Sequence, residues 1–160
     1  MKHIKYFIQF LFTVLSYVIF KILGPSLSSK LSGKIFKLIG PFFRPKNIIH
    51  TNIKRAIPNI NSEKLGRITS LMWTNYGNVF AEFMFLKNFR YGKLSSKVEI
   101  EGQNILDEIK KSNKQVIFIS GHFCNFELMA MYLEKTGINL ATIYRPLNNF
   151  FLNGFMERIR

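Results

Sequence analysis

Residues 115–135 read QVIFISGHFCNFELMAMYLEK, and this stretch decides the predicted fold. Its apolar start, QVIFIS, has the composition of a buried strand, and Gly121 allows the chain to turn out of that strand. From Asn125 onward the residues suit a helix, with Asn125 itself as a candidate N-cap. A strand, a turn and a helix in this order form the repeating unit of α/β proteins.

The flanking segments extend this pattern in both directions. Residues 97–102 (KVEIEG) alternate as a short strand does, residues 103–112 (QNILDEIKKS) suit a short helix, and residues 139–146 (NLATIYRP) suit another strand. Upstream, residues 61–89 carry apolar side chains every three to four positions and predict a long helix with Asn61 or Ser62 as its cap. The sequence therefore predicts an α/β fold in which a helical region is followed by a sheet layer.

The first 24 residues predict a membrane anchor helix. Residues 6–23 are almost wholly apolar and follow a basic start. A helix needs roughly 20 apolar residues to cross a bilayer, so both a spanning helix and one lying partly in the interface are consistent with this run. A cleavable signal peptide would share the basic start, but bulky side chains dominate and no small-residue cleavage site follows.

Residues 25–60 predict a basic amphipathic region next to the membrane. No acidic residue precedes Glu63 in the chain. Lys30, Lys34 and Lys37 share one side of the predicted helix, which would lie on anionic lipid. The alternative is a helix that packs on the protein core while its lysines are merely solvated. Apolar residues recur at helical spacing on another side of the same segment: Leu27, Leu31, Ile35, Leu38 and Phe42.

The charge of the chain predicts an anionic partner. The formal net charge is +14, which suits nucleic acid, acidic lipid or an acidic protein. Nucleic-acid binders are usually basic and polar, whereas this chain is basic and rich in apolar side chains, including 17 Phe. That combination predicts a membrane surface as the partner, and it predicts that the chain does not bind nucleic acid. The single Cys excludes an intramolecular disulfide and a Cys-based zinc site.

The turn SGHFCNFE, residues 120–127, is the candidate active site. Reactive groups in α/β proteins collect where a strand ends and a helix begins. Glu127 would lie in the first turn of the helix, where the helix dipole favours a negative charge. If His122 stays in the loop, the bend can bring its imidazole to that carboxylate. A His held by an acid is suited to deprotonate a hydroxyl, so the pair predicts a general base.

Other interpretations of this turn are open on the residues alone. His122 could be a polar loop residue, or a core histidine whose hydrogen-bonding groups are satisfied by its neighbours. Cys124 and His122 could form a nucleophilic pair, since a thiol near a helix N-terminus is activated, although a lone Cys among apolar neighbours more often packs. A metal site is weakly supported because His3, His50 and His122 lack the spacing of metal ligands.

Three ordered motifs resemble the lipid A biosynthesis (late) acyltransferase family. SGHFCNFE is similar to that family's GHFGNWE, IYRPLNN (residues 143–149) is similar to VYRPLKNP, and MWTNYGNVFAEF (residues 72–83) is similar to its W-x-N-x-G-x-x-x-x-E helix. The resemblance covers essentially the whole chain. Two positions depart from it: Cys124 stands where the family usually has glycine, and Phe150 stands where it tends to have proline.

The resemblance implies a bacterial inner-membrane enzyme with its active site on the cytoplasmic side. It would transfer a fatty acyl group from acyl carrier protein to a hydroxyl of a lipid A precursor of the Kdo-lipid IVA type, without cofactor or metal. By the same resemblance, His122 is the general base and Glu127 its partner. Arg145 and Arg160 are candidate contacts for a phosphate-bearing substrate. Acidic carrier protein, lipid A precursor and anionic lipid all suit a cationic chain.

Family members run to about twice this length, so the resemblance implies that residues 61–160 are the N-terminal part of the catalytic domain. The expected sheet, of the glycerolipid-acyltransferase type, would then be incomplete, and a downstream polypeptide could complete the domain. Two alternative functions are another glycerolipid or lysophospholipid acyltransferase, which usually carries Asp as its acid, and a non-catalytic membrane-surface fragment.

Overall fold

The computed structural model describes residues 2–112 and 114–160, and within these ranges the regular structure is helical. Two short 3-10 helices, Gly40–Phe42 and Ser95–Lys97, accompany the α-helices. The chain divides into two compact units: one contains the N-terminal residues to Leu11 together with Phe85–Arg160, and the other is Phe12–Met84. The α-helices are α1 (Lys2–Ile39), α2 (Lys46–Ala56), α3 (Ser62–Phe83), α4 (Leu86–Tyr91), α5 (Gln103–Ser112), α6 (Glu127–Lys135) and α7 (Phe150–Ile159).

The predicted N-terminal apolar helix is confirmed as the first part of α1, and a kink separates it from the second part. Gly24 has a φ of +77°, and Pro25 follows it. Proline carries no backbone N–H and interrupts the ladder of helical hydrogen bonds. The buried hydroxyl of Ser28 donates to the carbonyl of Phe20 at 3.0 Å. This bond keeps a backbone acceptor satisfied beside the kink.

The second part of α1 packs closely on α3 within the unit Phe12–Met84. A Cβ added at Gly77 would lie 2.3 Å from the carbonyl oxygen of Ser32, and one added at Gly40 would lie 2.3 Å from the ring of Trp73. Ser29 donates to Glu82 at 3.0 Å. Gly77 and Glu82 of the helix motif W-x-N-x-G-x-x-x-x-E therefore bring α3 against α1, and Trp73 contacts the 3-10 helix that follows α1.

In the other unit, α4, α5 and α6 pack together. Arg90 on α4 forms an ion pair with Glu134 on α6. The hydroxyl of Tyr132 on α6 donates to Gln103 on α5 at 2.9 Å. Leu133 is buried among these helices. These contacts fix α6, whose first residue is Glu127.

Asn149 joins α7 to the first turns of α1 within the same unit. Its side-chain oxygen caps α7 by accepting from Phe151 N at 3.2 Å. Its amide nitrogen donates to the carbonyl of Tyr6 at 2.9 Å and to the side chain of Gln9 at 3.2 Å. The ring of Phe151 packs against Phe7 with centroids 5.6 Å apart. Both ends of the buried Asn149 amide are thus satisfied.

The predicted sheet is wrong: the described residues contain no strand. Lys97 is the last residue of the 3-10 helix Ser95–Lys97, and residues 98–102, 114–123 and 138–147 are irregular. Ile117, Ile119 and Ile143 are 90%, 93% and 103% exposed, so the apolar residues that predicted buried strands face solvent. Apolar composition shows that a segment suits a strand, but a strand also needs a second backbone about 4.8 Å away to pair with it. No described segment supplies that partner.

The structure confirms the helices predicted for residues 61–89 and 103–112, although the first of them is divided in two. Asn61 caps α3 by accepting from Lys64 N at 2.8 Å, and α5 occupies the predicted residues 103–112. The long helix predicted over 61–89 is divided at Met84 and Phe85 into α3 and α4. These helices follow the apolar spacing of the sequence.

Candidate active site

The loop of residues 121–126 presents His122 just before α6. Glu127 is the first residue of that helix, as its place in the sequence predicts. The predicted cap is wrong, because Phe126 rather than Asn125 occupies the N-cap position and its side chain makes no capping bond. Cys124 has a φ of +44°, in the left-handed region that favours glycine. The backbone of this loop therefore has the shape for which a glycine is suited.

His122 is exposed and rests on an aromatic ring. Its imidazole lies against the ring of Phe126, with centroids 4.2 Å apart. Within the part of the chain that the structure describes, no hydrogen bond joins His122 to Glu127. His122 lies in the loop and Glu127 begins the helix, and no ion pair joins them within the described residues.

Glu127 is held by Arg160 instead. The Nε and one terminal nitrogen of Arg160 donate to the same carboxylate oxygen, Oε1, at 3.0 and 2.5 Å. The Glu127 side chain is 13% exposed and that of Arg160 is 39% exposed, so the pair is partly shielded from water. Hydrogen bonds between ionised partners are stronger than neutral ones, and shielding strengthens them further. This contact fixes one oxygen of the carboxylate and leaves Oε2 to other donors.

A second polar cluster supports Arg160 from the segment before α7. The Arg160 guanidinium lies over the ring of Tyr144, 5.5 Å from its centroid. The Tyr144 hydroxyl donates to Glu157, which also accepts from Asn153 at 2.7 Å. The hydrogen bond to Glu157, followed by desolvation, raises the pKa of Tyr144 above its ordinary value. Sequence reasoning missed Glu157 and Asn153, since only the folded chain brings them to Tyr144.

Arg145 lies next to this cluster and is exposed. Within residues 2–112 and 114–160, Arg145 forms no ion pair with an acidic side chain. The two candidate arginines therefore differ: Arg160 contacts Glu127, and the charge of Arg145 faces solvent. An exposed guanidinium of this kind can bind phosphate oxygens through its planar donors.

A cavity of about 600 Å³ opens beside α6, and its lining is mainly apolar but includes Lys97, Glu99 and Glu101. Phe89 of α4, Ile100, Leu106 of α5, and Leu128 and Leu133 of α6 contribute to its wall. Leu128 follows Glu127 directly, so the cavity reaches the helix turn that carries the candidate acid. Its volume is in the range of about 300–1,000 Å³ found for ligand pockets.

The comparison with known families gives one result that covers the chain. The sequence profile described as bacterial lipid A biosynthesis acyltransferase matches residues 1–160. No curated protein and no solved structure is significantly similar to the chain.

Proposed function

Because this chain belongs to the bacterial lipid A biosynthesis acyltransferases, we propose that it transfers a fatty acyl group from acyl carrier protein to a hydroxyl of a lipid A precursor of the Kdo-lipid IVA type. The family establishes an acyltransferase of lipid A biosynthesis. The donor, the acceptor and the residue roles are the proposal. The single observation that carries it is the carboxylate of Glu127, which Arg160 holds at the start of α6, directly after the loop that carries His122.

In the proposed reaction, His122 removes the proton of the acceptor hydroxyl. The hydroxyl oxygen attacks the thioester carbonyl, a new C–O bond forms, and the carbonyl becomes a tetrahedral oxyanion. When this intermediate collapses, the C–S bond breaks and the imidazolium returns its proton to the departing thiolate. The products are the acylated lipid and the free thiol of the carrier.

Glu127 orients and stabilises the imidazolium in this mechanism. In the structure the imidazole lies on Phe126, so the proposed step includes its rotation toward Oε2 when substrate binds. Catalytic hydrogen bonds often tighten only in the substrate complex. Arg160 keeps the carboxylate in place while this rotation occurs, because two of its nitrogens donate to Oε1.

Three features of the chain match the chemistry of the proposed substrates. The mainly apolar cavity beside α6 suits a long acyl chain, which gains free energy when it leaves water. The exposed Arg145 suits a phosphate of the lipid A precursor. The net charge of +14 suits an acidic carrier protein during encounter.

We place the protein at the bacterial inner membrane with the site on the cytoplasmic side. Among the residues that the structure describes, one helix, within Lys2–Phe42, is long and apolar enough to cross a membrane by length and composition. Apolar side chains along it are exposed, including Ile8 at 59%, Phe12 at 60% and Ile22 at 79%. Such a surface is stable when lipid covers it.

Substrate choice tests this proposal. The purified chain in detergent or lipid is given a labelled acyl group on acyl carrier protein or on coenzyme A, with either tetra-acylated Kdo-lipid IVA or a lysophospholipid as acceptor. We expect transfer from the carrier protein to Kdo-lipid IVA. Transfer to the lysophospholipid, or no transfer to Kdo-lipid IVA, would contradict the proposal; the first result would indicate a glycerolipid acyltransferase.

A further inference from the structure

The second part of α1, after the kink at Gly24, presents three different faces in the unit Phe12–Met84. One face packs on α3, where Ser32 and Gly33 are buried beneath Gly77. The protein therefore holds this segment by a single side, and the two remaining sides are open.

The first open side is an apolar stripe. Its residues run from Leu27 to Phe42 at intervals of four, four, three and four positions, and this spacing places them on one side of a helix. They are 41–87% exposed, with Leu38 at 73% and Phe42 at 87%. Phe43, 77% exposed, continues the stripe past the 3-10 helix Gly40–Phe42. We call this surface the apolar stripe: Leu27, Leu31, Ile35, Leu38, Phe42 and Phe43.

The second open side carries Lys30, Lys34 and Lys37, all exposed. At 3.6 residues per turn, the centre of this lysine row lies about 90° around the helix from the centre of the apolar stripe. Arg44 and Lys46 follow and are also exposed. No acidic residue occurs before Glu63, so the positive charge of this segment is not balanced by acids of its own.

A lipid surface fits both open sides together. An acidic protein would pair with the lysines but would leave apolar side chains such as Leu38 and Phe42 in water. An anionic leaflet offers phosphate groups to the lysine row and acyl chains to the apolar stripe, with the lysine stems running along the boundary. The stripe also continues the apolar helix that precedes Gly24.

We propose that the segment from Leu27 to Phe43 is a second lipid contact, which lies in the interface of an anionic leaflet with its apolar stripe inserted and its lysine row on the headgroups. This contact is separate from the anchor before Gly24. It does not depend on the proposed acyl transfer, because it rests on exposed side chains and charge alone.

Insertion depth at residue 42 tests the proposal on the full chain. In a Cys124→Ser background, Phe42→Cys carries an environment-sensitive fluorophore, and the protein is placed in nanodiscs of phosphatidylcholine alone or with phosphatidylglycerol. We expect a blue-shifted emission and strong quenching by lipids labelled in the acyl chain, greatest in the anionic discs. Changing Lys30, Lys34 and Lys37 together to Gln should remove the advantage of anionic lipid.

Leu71→Cys is the matched control. Leu71 is an apolar residue of α3 that is 56% exposed. It lies on α3, outside the segment from Leu27 to Phe43. Quenching at residue 42 several-fold stronger than at residue 71 supports the proposal. Equal quenching at the two positions, or protection of residue 42 only after acyl carrier protein is added, would overturn it.

Discussion

At the scale of single residues, the ion pair with Arg160 holds the candidate acid Glu127 at the start of α6. The place of an acid at the start of a helix is a local property, and the structure confirms that place. The contact with Arg160 joins residues 33 positions apart, and only the packing of α7 creates it. Of the two arginines that sequence similarity suggested as substrate contacts, Arg160 thus contacts the carboxylate, whereas Arg145 faces solvent. The positions of Arg145 and Arg160 in the sequence do not predict which of them contacts Glu127.

Cys124 gives a prediction at this scale. Its φ of +44° disfavours any residue with a Cβ, at a cost of about 1–2 kcal/mol. The resembled family usually has glycine at this position. Cys124→Gly should therefore raise the stability of the folded chain, because the relief of strain exceeds the added freedom of the unfolded chain, about 0.5–1 kcal/mol. The measurement is the thermal midpoint in detergent.

The control for this substitution is Cys124→Ala, which retains the Cβ and removes only the sulfur. Since the thiol is exposed, its loss should leave the midpoint unchanged. A midpoint that rises equally in both variants, or falls in Cys124→Gly, would contradict the strain assigned to the loop.

At the scale of elements, helices were predictable and strands were not. Helix signals are local: apolar spacing and the cap at Asn61 predicted α3, and the same logic predicted α5. Strand formation depends on a partner elsewhere in the chain, which local apolar composition does not reveal. The segment around Ile117 and Ile119 shows this, since it has the composition of a buried strand and yet is exposed.

The contact of α1 with α3 gives a prediction at this scale. At Gly77 an added Cβ would meet the backbone of Ser32 at 2.3 Å, and backbone cannot move aside as a flexible side chain can. Gly77→Ala should therefore destabilise the protein by about 1–3 kcal/mol, the usual cost of overpacking. Chemical denaturation followed by helical circular dichroism measures this.

Gly66 supplies the matched control on the same helix. A Cβ there would meet no atom within 4 Å. Gly66→Ala should stabilise α3 by up to about 1 kcal/mol, because alanine has the higher helix propensity. If both substitutions shifted the free energy of unfolding in the same direction, that result would contradict the close packing of α3 on α1 at Gly77.

At the scale of the whole molecule, composition and charge indicated the type of surface on which the chain acts. A net charge of +14 with abundant exposed apolar side chains suits a membrane-associated acyltransferase better than a nucleic-acid binder. The family match over residues 1–160 agrees with the three sequence motifs. The structure assigns different tasks to those motifs: the helix motif packs α3 on α1, and the other two supply the candidate site.

The proposed roles of His122 and Glu127 in acyl transfer are tested by comparing single substitutions in one assay. The initial rate of transfer from labelled acyl carrier protein to Kdo-lipid IVA is measured for the wild type, His122→Ala, Glu127→Ala and the control Cys124→Ser. We predict that Cys124→Ser keeps the wild-type rate and that His122→Ala loses about 10²–10⁴-fold, the usual contribution of a general base. Transfer by His122→Ala at the wild-type rate would contradict the account.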